Sequence, residues 1–170
     1  SQIDVMAAAG DIDPLTFRLN HLTDERMRKV LKAAAEKFGH RFARAPTKRG
    51  FGIACTDYKG TYVATMAEVK VDQKSGVVRV QRVVCAQDTG EVVNPDGVRL
   101  QIEGCITMGL GYALAEEVRF SNGQILDVNF DTYEIPRFSW LPEIETVLVE
   151  NSEFPPKGGG EPAIVCMGGV

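Results

Sequence analysis

Thr61-Tyr62-Val63-Ala64-Thr65-Met66-Ala67-Glu68-Val69-Lys70-Val71, then Asp72-Gln73-Lys74-Ser75-Gly76, then Val77–Ala86, is the stretch that decides the fold. The first run alternates, with Val63, Ala67, Val69 and Val71 on one face, and the third is dense in β-branched residues. The polar run between them is turn material, so the three pieces predict an antiparallel hairpin. Moving toward the C-terminus, Asn94-Pro95-Asp96 sets a capping side chain before a proline suited to a first helical turn. The helix it opens carries Val98, Ile102, Cys105, Ile106, Gly109, Leu110, Ala113 and Leu114 on one side. Gly104, Gly109 and Gly111 each cost such a helix roughly 1 kcal/mol relative to alanine. They therefore predict close packing against a sheet or a neighbouring chain. Farther on, Ser121-Asn122-Gly123 between Glu117–Phe120 and Gln124–Asn129 is a second hairpin signal, and Glu143–Glu150, entered after Pro142, reads as a last strand.

Toward the N-terminus the pattern is helical. Asp13-Pro14 is a cap with a proline at the first turn, and Thr23 or Asp24 can cap a second helix. Met27, Val30, Leu31, Ala34 and Phe38 form one apolar stripe at helical spacing, and Gly39 is a natural stop. Residues 40–50, basic and containing Pro46 and Gly50, read as a linker. The expectation is an α+β chain in two parts. Residues 1–49 form a helical arm and linker; residues 50–170 form a mixed or antiparallel sheet of about five strands with one long packed helix.

Composition excludes several function classes. The 170 residues are 44% hydrophobic and 25% charged, with mean hydropathy -0.09, which is ordinary for a soluble globular domain. A formal net charge of -4 argues against nonspecific nucleic-acid binding. The basic excess of the first 49 residues fits solvated helix faces. Cys55, Cys85, Cys105 and Cys166 are widely spaced, with no pair at zinc-finger spacing, and read as free buried thiols. The longest fairly apolar stretch, Cys105–Ala115, falls short of the roughly 18 residues that span a bilayer. A start on Ser1 and an end on Gly168-Gly169-Val170 read as cuts in something longer.

The chemistry concentrates in Lys157-Gly158-Gly159-Gly160-Glu161-Pro162-Ala163. A glycine run signals either a turn with positive φ or close approach to another group. Pro162 then starts a helix, so Glu161 stands beside a helix N-terminus, a position fit for a general base or acid. The competing reading is a tight turn whose acid merely suits the helix dipole. The run is not a phosphate-binding P-loop, because Lys157 precedes the glycines. His21 and His40 are the only histidines and stand at helix ends, and no serine sits in an elbow motif, so a Ser–His–Asp centre is not expected. Gln101 is a second candidate, since an amide offers donors and an acceptor to a heteroaromatic edge. Asp88-Thr89-Gly90 reads as a structural strand-to-helix loop, while Tyr133, Arg137 and Trp140 could line a pocket or be core.

Four of these pieces, in order, resemble the xanthine oxidase family of molybdenum hydroxylases, in the C-terminal portion of the large, molybdopterin-binding subunit. They are Ile3-Asp4 through Asp13-Pro14-Leu15-Thr16-Phe17-Arg18; Tyr62-Val63-Ala64 with Ala67-Glu68-Val69; Asp88-Thr89-Gly90 with Val93-Asn94-Pro95 and Gln101-Ile102-Glu103-Gly104; and Gly160-Glu161-Pro162. The tripled glycine and short loops look most like the branch typified by the isoquinoline 1-oxidoreductase beta subunit. The resemblance implies that Glu161 is the general base in a water-derived hydroxylation of an N-heterocycle or aldehyde. It implies that Gln101, Gly159 and Gly160 contact the molybdopterin cofactor, including its cytosine dinucleotide form. The metal would be held by the pterin, with no protein ligand. Electrons would leave through an iron–sulfur partner bearing [2Fe–2S] clusters, for which this chain has no cysteine pattern. The resemblance further implies a fragment truncated at its C-terminus, holding no cofactor and inactive alone, whose uncovered apolar faces favour self-association into a homo-oligomer. The alternative is a self-contained α+β binding or interaction module in which Glu161 is a turn residue. Compartment and substrate identity are left open.

Overall fold

The computed structural model describes residues 1–39 and 49–170; the expected linker and His40 lie largely outside them. Helices α1 (Gln2–Ala9), α2 (Pro14–His21) and α3 (Glu25–Phe38) come first. Asp13 caps α2 by accepting from the Thr16 N–H, and Asp24 caps α3 by accepting from the Met27 N–H. Gly39 closes α3 in the left-handed conformation. Of these helices, α1 has no counterpart in the sequence pattern, since its alanine-rich run has no distinct apolar stripe.

Strands β1 (Arg49–Tyr58), β2 (Thr61–Val71), β3 (Val78–Asp88) and, later in the chain, β6 (Glu143–Leu148) form one sheet in that order. The first three are antiparallel, and β6 runs parallel to β3. β1 pairs with β2 from end to end, although its glycines and half-buried residues give it no clear alternation. A bulge at Glu68/Val69 shifts the β2–β3 register.

Side chains alternate across this sheet and separate two cores. Val30, Leu31, Ala34 and Ala35 of α3 pack with Ile53, Ala64, Met66 and Ala86 on one face. On the other, Val63, Ala67, Val83 and Cys85 pack with Ile102, Cys105, Ile106 and Leu110 of α4 (Pro95–Leu114). Ile102 and Ile106 are fully buried, each contributing roughly 1.5–3 kcal/mol of apolar transfer. Asn94 caps α4 by accepting from the Gly97 N–H, as its place before Pro95 predicts.

The expected five-stranded sheet is therefore a four-stranded sheet plus a separate pair, β4 (Phe120–Ser121) and β5 (Gln124–Ile125). The pair turns at Asn122 and Gly123, both with positive φ, as the hairpin signal predicts. Its strands are two residues long and face solvent, so it forms no edge with the main sheet. The last helix, α5 (Pro162–Met167), lies against α4. A Cβ at Gly109 would stand 2.4 Å from the Met167 Cβ, so this glycine admits α5. Gly111 is crowded by Glu116 and Pro136, whereas Gly104 faces open space. The close packing expected of these glycines is thus met by a helix and a loop of the same chain at two of the three positions.

Candidate functional site

Two loops meet where β3 ends and α5 begins. The first is the Asp88-Thr89-Gly90 turn. The Asp88 carboxylate is fully buried and accepts from Arg26 Nε at 2.9 Å, Arg26 Nη2 at 2.7 Å, Asn151 Nδ2 at 3.0 Å and the Gly90 N–H at 2.8 Å. Burial pushes this carboxyl up, but the Arg26, Asn151 and Gly90 donors outweigh burial and hold it below its ordinary value. The Arg26 guanidinium also lies between the Tyr62 and Phe154 rings, 4.5 and 4.4 Å from their centroids. Gly90 has φ +73°, and a Cβ there would meet the Pro155 carbonyl oxygen at 2.4 Å. The turn is structural, as its sequence suggests, and it grips the segment that leads into the glycine run.

That segment is pinned at intervals by its backbone. The Glu91 N–H donates to the Phe154 carbonyl at 2.9 Å, and the Lys157 N–H donates to the Thr89 carbonyl at 2.8 Å. Thr61 Oγ1 donates to the Gly158 carbonyl at 2.8 Å, and Cys105 Sγ donates to the Gly160 carbonyl at 3.1 Å. Burial pushes the Cys105 thiol up, and the charge of Glu161 adds to this, so the sulfur keeps the proton it donates. Sequence reasoning misses Thr61 and Cys105 as loop anchors, because each lies 55 or more positions away from its acceptor.

The glycines themselves have no reason in this fold. None of Gly158, Gly159 and Gly160 has φ in the left-handed region. An added Cβ would meet nothing within 4 Å at Gly158, nothing nearer than 3.5 Å at Gly159 and nothing nearer than 3.6 Å at Gly160. Of the two uses expected of a glycine run, the turn with positive φ is therefore not the one found. Gly159 and Gly160, with Pro156 and Lys157 before them, form one wall of a cleft of about 320 Å³, which Thr89, Glu91–Asn94 and Gly97, Val98 and Gln101 of α4 complete. Gln101 is exposed there, with no side-chain hydrogen bond to a described residue, and its Oε1 is the nearest neighbour of a Cβ at Gly160. Three of the four predicted site residues thus share one cleft. The open glycine wall and the free amide beside it fit a planar ligand with a hydrogen-bonding edge.

Glu161 follows at the end of that wall, exposed, as the N-cap residue of α5. Its side chain makes no capping hydrogen bond and forms no ion pair with a described residue. Ala163, Cys166 and Met167 behind it are buried in the α4 core, so the backbone that carries the carboxylate is anchored while the carboxylate is not. The larger cleft, about 760 Å³, lies elsewhere, between Gly76–Gln81, the end of α4 and the segment of Glu134, Pro136 and Ser139–Glu143. Trp140 lines it; Tyr133 instead donates to Glu116 Oε2 at 2.6 Å, and Arg137 lines neither cleft. Among the described residues no three His, Cys, Asp or Glu side chains are grouped to hold a metal, all four cysteines are free, and no helix is long and apolar enough to cross a membrane.

Comparison with known proteins bears on this geometry. The family model "Molybdopterin cofactor-binding domain" matches residues 56–142, about half of the chain, including Gln101 but not Glu161. A nicotinate dehydrogenase subunit of Pseudomonas putida is 34% identical over 97% of this chain and 15% of its own length. The isoquinoline 1-oxidoreductase beta subunit of Brevundimonas diminuta is 37% identical over 90% of this chain and 20% of its own. The crystal structure of quinoline 2-oxidoreductase from Pseudomonas putida 86 matches with a TM-score of 0.58 and 28% identity, covering 64% of this chain and 14% of that one. This chain therefore spans about 15–20% of the length of the curated relatives named here. The match of half its length to that domain model, on a fold shared with a solved heterocycle oxidoreductase, makes this chain a member of the molybdopterin-binding domain family of xanthine oxidase-type molybdenum hydroxylases.

Proposed function

We propose that this chain is part of the large subunit of a molybdenum hydroxylase, and that Glu161 is the general base for oxidation of an N-heterocycle or aldehyde. One observation carries the reading. A glycine wall that this fold does not need ends in a carboxylate that no described residue binds, beside a cleft holding a free amide. Gln101 would hold the pterin through its side-chain amide, and Gly159 and Gly160 through open backbone. The bound molybdenum centre supplies the two-electron oxidation. Glu161 takes up, on a carboxylate oxygen, the proton released as water-derived oxygen is added to the substrate. Cys105, Thr61 and the Asp88–Arg26 pair position the loop without touching substrate. Without a capping bond, a turn role leaves Glu161 only its charge beside the helix N-terminus, worth about 0.3–1 kcal/mol, so the unbound carboxylate favours the base over a self-contained module in which Glu161 is a turn residue.

The relatives named for nicotinate and isoquinoline favour an N-heterocycle as substrate, and their names mark them as subunits of complexes. An iron–sulfur partner with [2Fe–2S] clusters and the cytosine dinucleotide form of the cofactor belong to the same proposal. So do the division at residue 49, self-association, and inactivity of this stretch without the remainder of such a subunit. Glu161→Gln in the full-length holoenzyme tests the base. Turnover of quinoline, nicotinate or an aromatic aldehyde should fall by roughly 10²–10⁴-fold while molybdenum and pterin per subunit stay at the unsubstituted level. Turnover within a few-fold of the unsubstituted enzyme removes Glu161 from the mechanism.

A further inference from the structure

Gln87 is the most buried polar side chain without a partner among the described residues. It is 1% exposed, and neither its Nε2 nor its Oε1 has a hydrogen bond. Its backbone is satisfied: it pairs with Val63 across the sheet, and its carbonyl accepts from the Val149 N–H at 2.9 Å. Only the amide is orphaned. A buried amide left so is destabilising, and native folds rarely keep one without a use.

The position of the amide is specific. A Cβ built on Gly159 would stand 3.5 Å from Gln87 Nε2, 3.5 Å from Val98 Cγ2 and 3.6 Å from Thr89 Cγ2. Those are ordinary contact distances, so Gly159 leaves a methyl-sized recess, and the Gln87 amide is one of its walls. Thr89, Val98 and Gly159 all line the cleft that holds Gln101. The two glutamines thus flank the glycine pair, Gln87 beside Gly159 and Gln101 beside Gly160.

We propose that Gln87 is a second side-chain amide of the cofactor site, reached through the recess that Gly159 keeps open. Its Nε2 and Oε1 together suit a planar heteroaromatic ligand whose edge offers an acceptor next to a donor, as a pterin does. The inference rests on the functional reading above and extends it to a residue outside the motifs that suggested that reading.

The test uses the full-length holoenzyme with Gln87→Leu and, separately, Gly159→Ala. The readout is the rate of pterin release into mild urea, followed by fluorescence of the oxidised pterin, with the urea midpoint of the cofactor-free protein measured in parallel. Losing one or two neutral hydrogen bonds should speed release roughly three- to tenfold in Gln87→Leu. Its cofactor-free midpoint should stay equal or rise, because an orphaned amide has gone. Gly159→Ala fills the recess without a clash and should also speed release at an unchanged midpoint. Release at the unsubstituted rate in both variants overturns the proposal: Gln87 is then a core amide only. Should Gln87→Leu fail to accumulate, Gln87→Asn, which withdraws the amide by one methylene, and Gly159→Ala decide in the same way. A purified parent protein containing no pterin overturns the functional reading and this inference together. Full turnover in Glu161→Gln removes the base and leaves Gln87 standing.

Discussion

The Asp88–Gly90 turn and the Gly158–Glu161 run are both glycine-bearing loops with an acidic residue, a few ångströms apart, and they differ in what accounts for them. In the first, every feature has an intramolecular cause. Asp88 binds four donors, Gly90 has a left-handed φ, and the Pro155 carbonyl leaves no room for a side chain. In the second, the glycines have ordinary φ and open space, and the acid has no partner among the described residues. A residue whose own fold explains it is structural. One that costs entropy and returns no contact points to a group outside the chain.

This contrast can be broken by substitution, beginning with the largest effect. Asp88→Ala leaves the Arg26 guanidinium, 15% exposed, without its carboxylate, and should cost roughly 3–5 kcal/mol in urea unfolding. A loss under about 1 kcal/mol would show that the buried pair is not what holds the turn. Gly90→Ala should destabilise by about 1–3 kcal/mol, because it meets both strain and a backbone clash. Acid sharpens the same point at the other end of the chain. Burial pushes the Asp4 carboxyl up, but Arg18 and Ser1 outweigh it and hold the value at about 2 against an ordinary 3.8. The folded value lies below the unfolded one, so this contribution is present above about pH 4 and lost as pH falls toward 2. Amide protection in α1 and α2, relative to the intrinsic exchange rate at each pH, should fall over that window, and unchanged protection in Asp4→Asn across it is the control. Smallest of all, Gly158→Ala and Glu161→Gln should each move the urea midpoint by no more than about 0.5 kcal/mol equivalent. A loss above about 1 kcal/mol at either position would return that residue to the structural class.

Much of this architecture was legible in the chain. The β2–β3 hairpin, the caps at Asp13, Asp24 and Asn94, and the stop at Gly39 follow from local chemistry that tertiary contacts did not override. Strand β1 was not legible, because its place is dictated by a partner strand rather than by its own alternation. Nor was the fourth neighbour of the sheet, since nothing local says that β6 runs parallel to β3. At the site, Gln101, Gly159 and Gly160, singled out from the sequence, line one cleft. Gln87 could not be singled out, because one glutamine in a β-branched strand carries no periodic signal; only its burial and missing partners mark it. The Arg26 clamp spans 62 positions and joins a helix to a turn, a pairing that spacing cannot disclose.

The most direct measurement of the central claim is a structure of the complete, cofactor-loaded subunit containing this chain. The account predicts a Glu161 carboxylate free of protein cations and turned toward the metal centre, with Gly159 and Gly160 in van der Waals contact with the cofactor. A carboxylate turned away and anchored in an ion pair, over glycines that touch only protein, would contradict it.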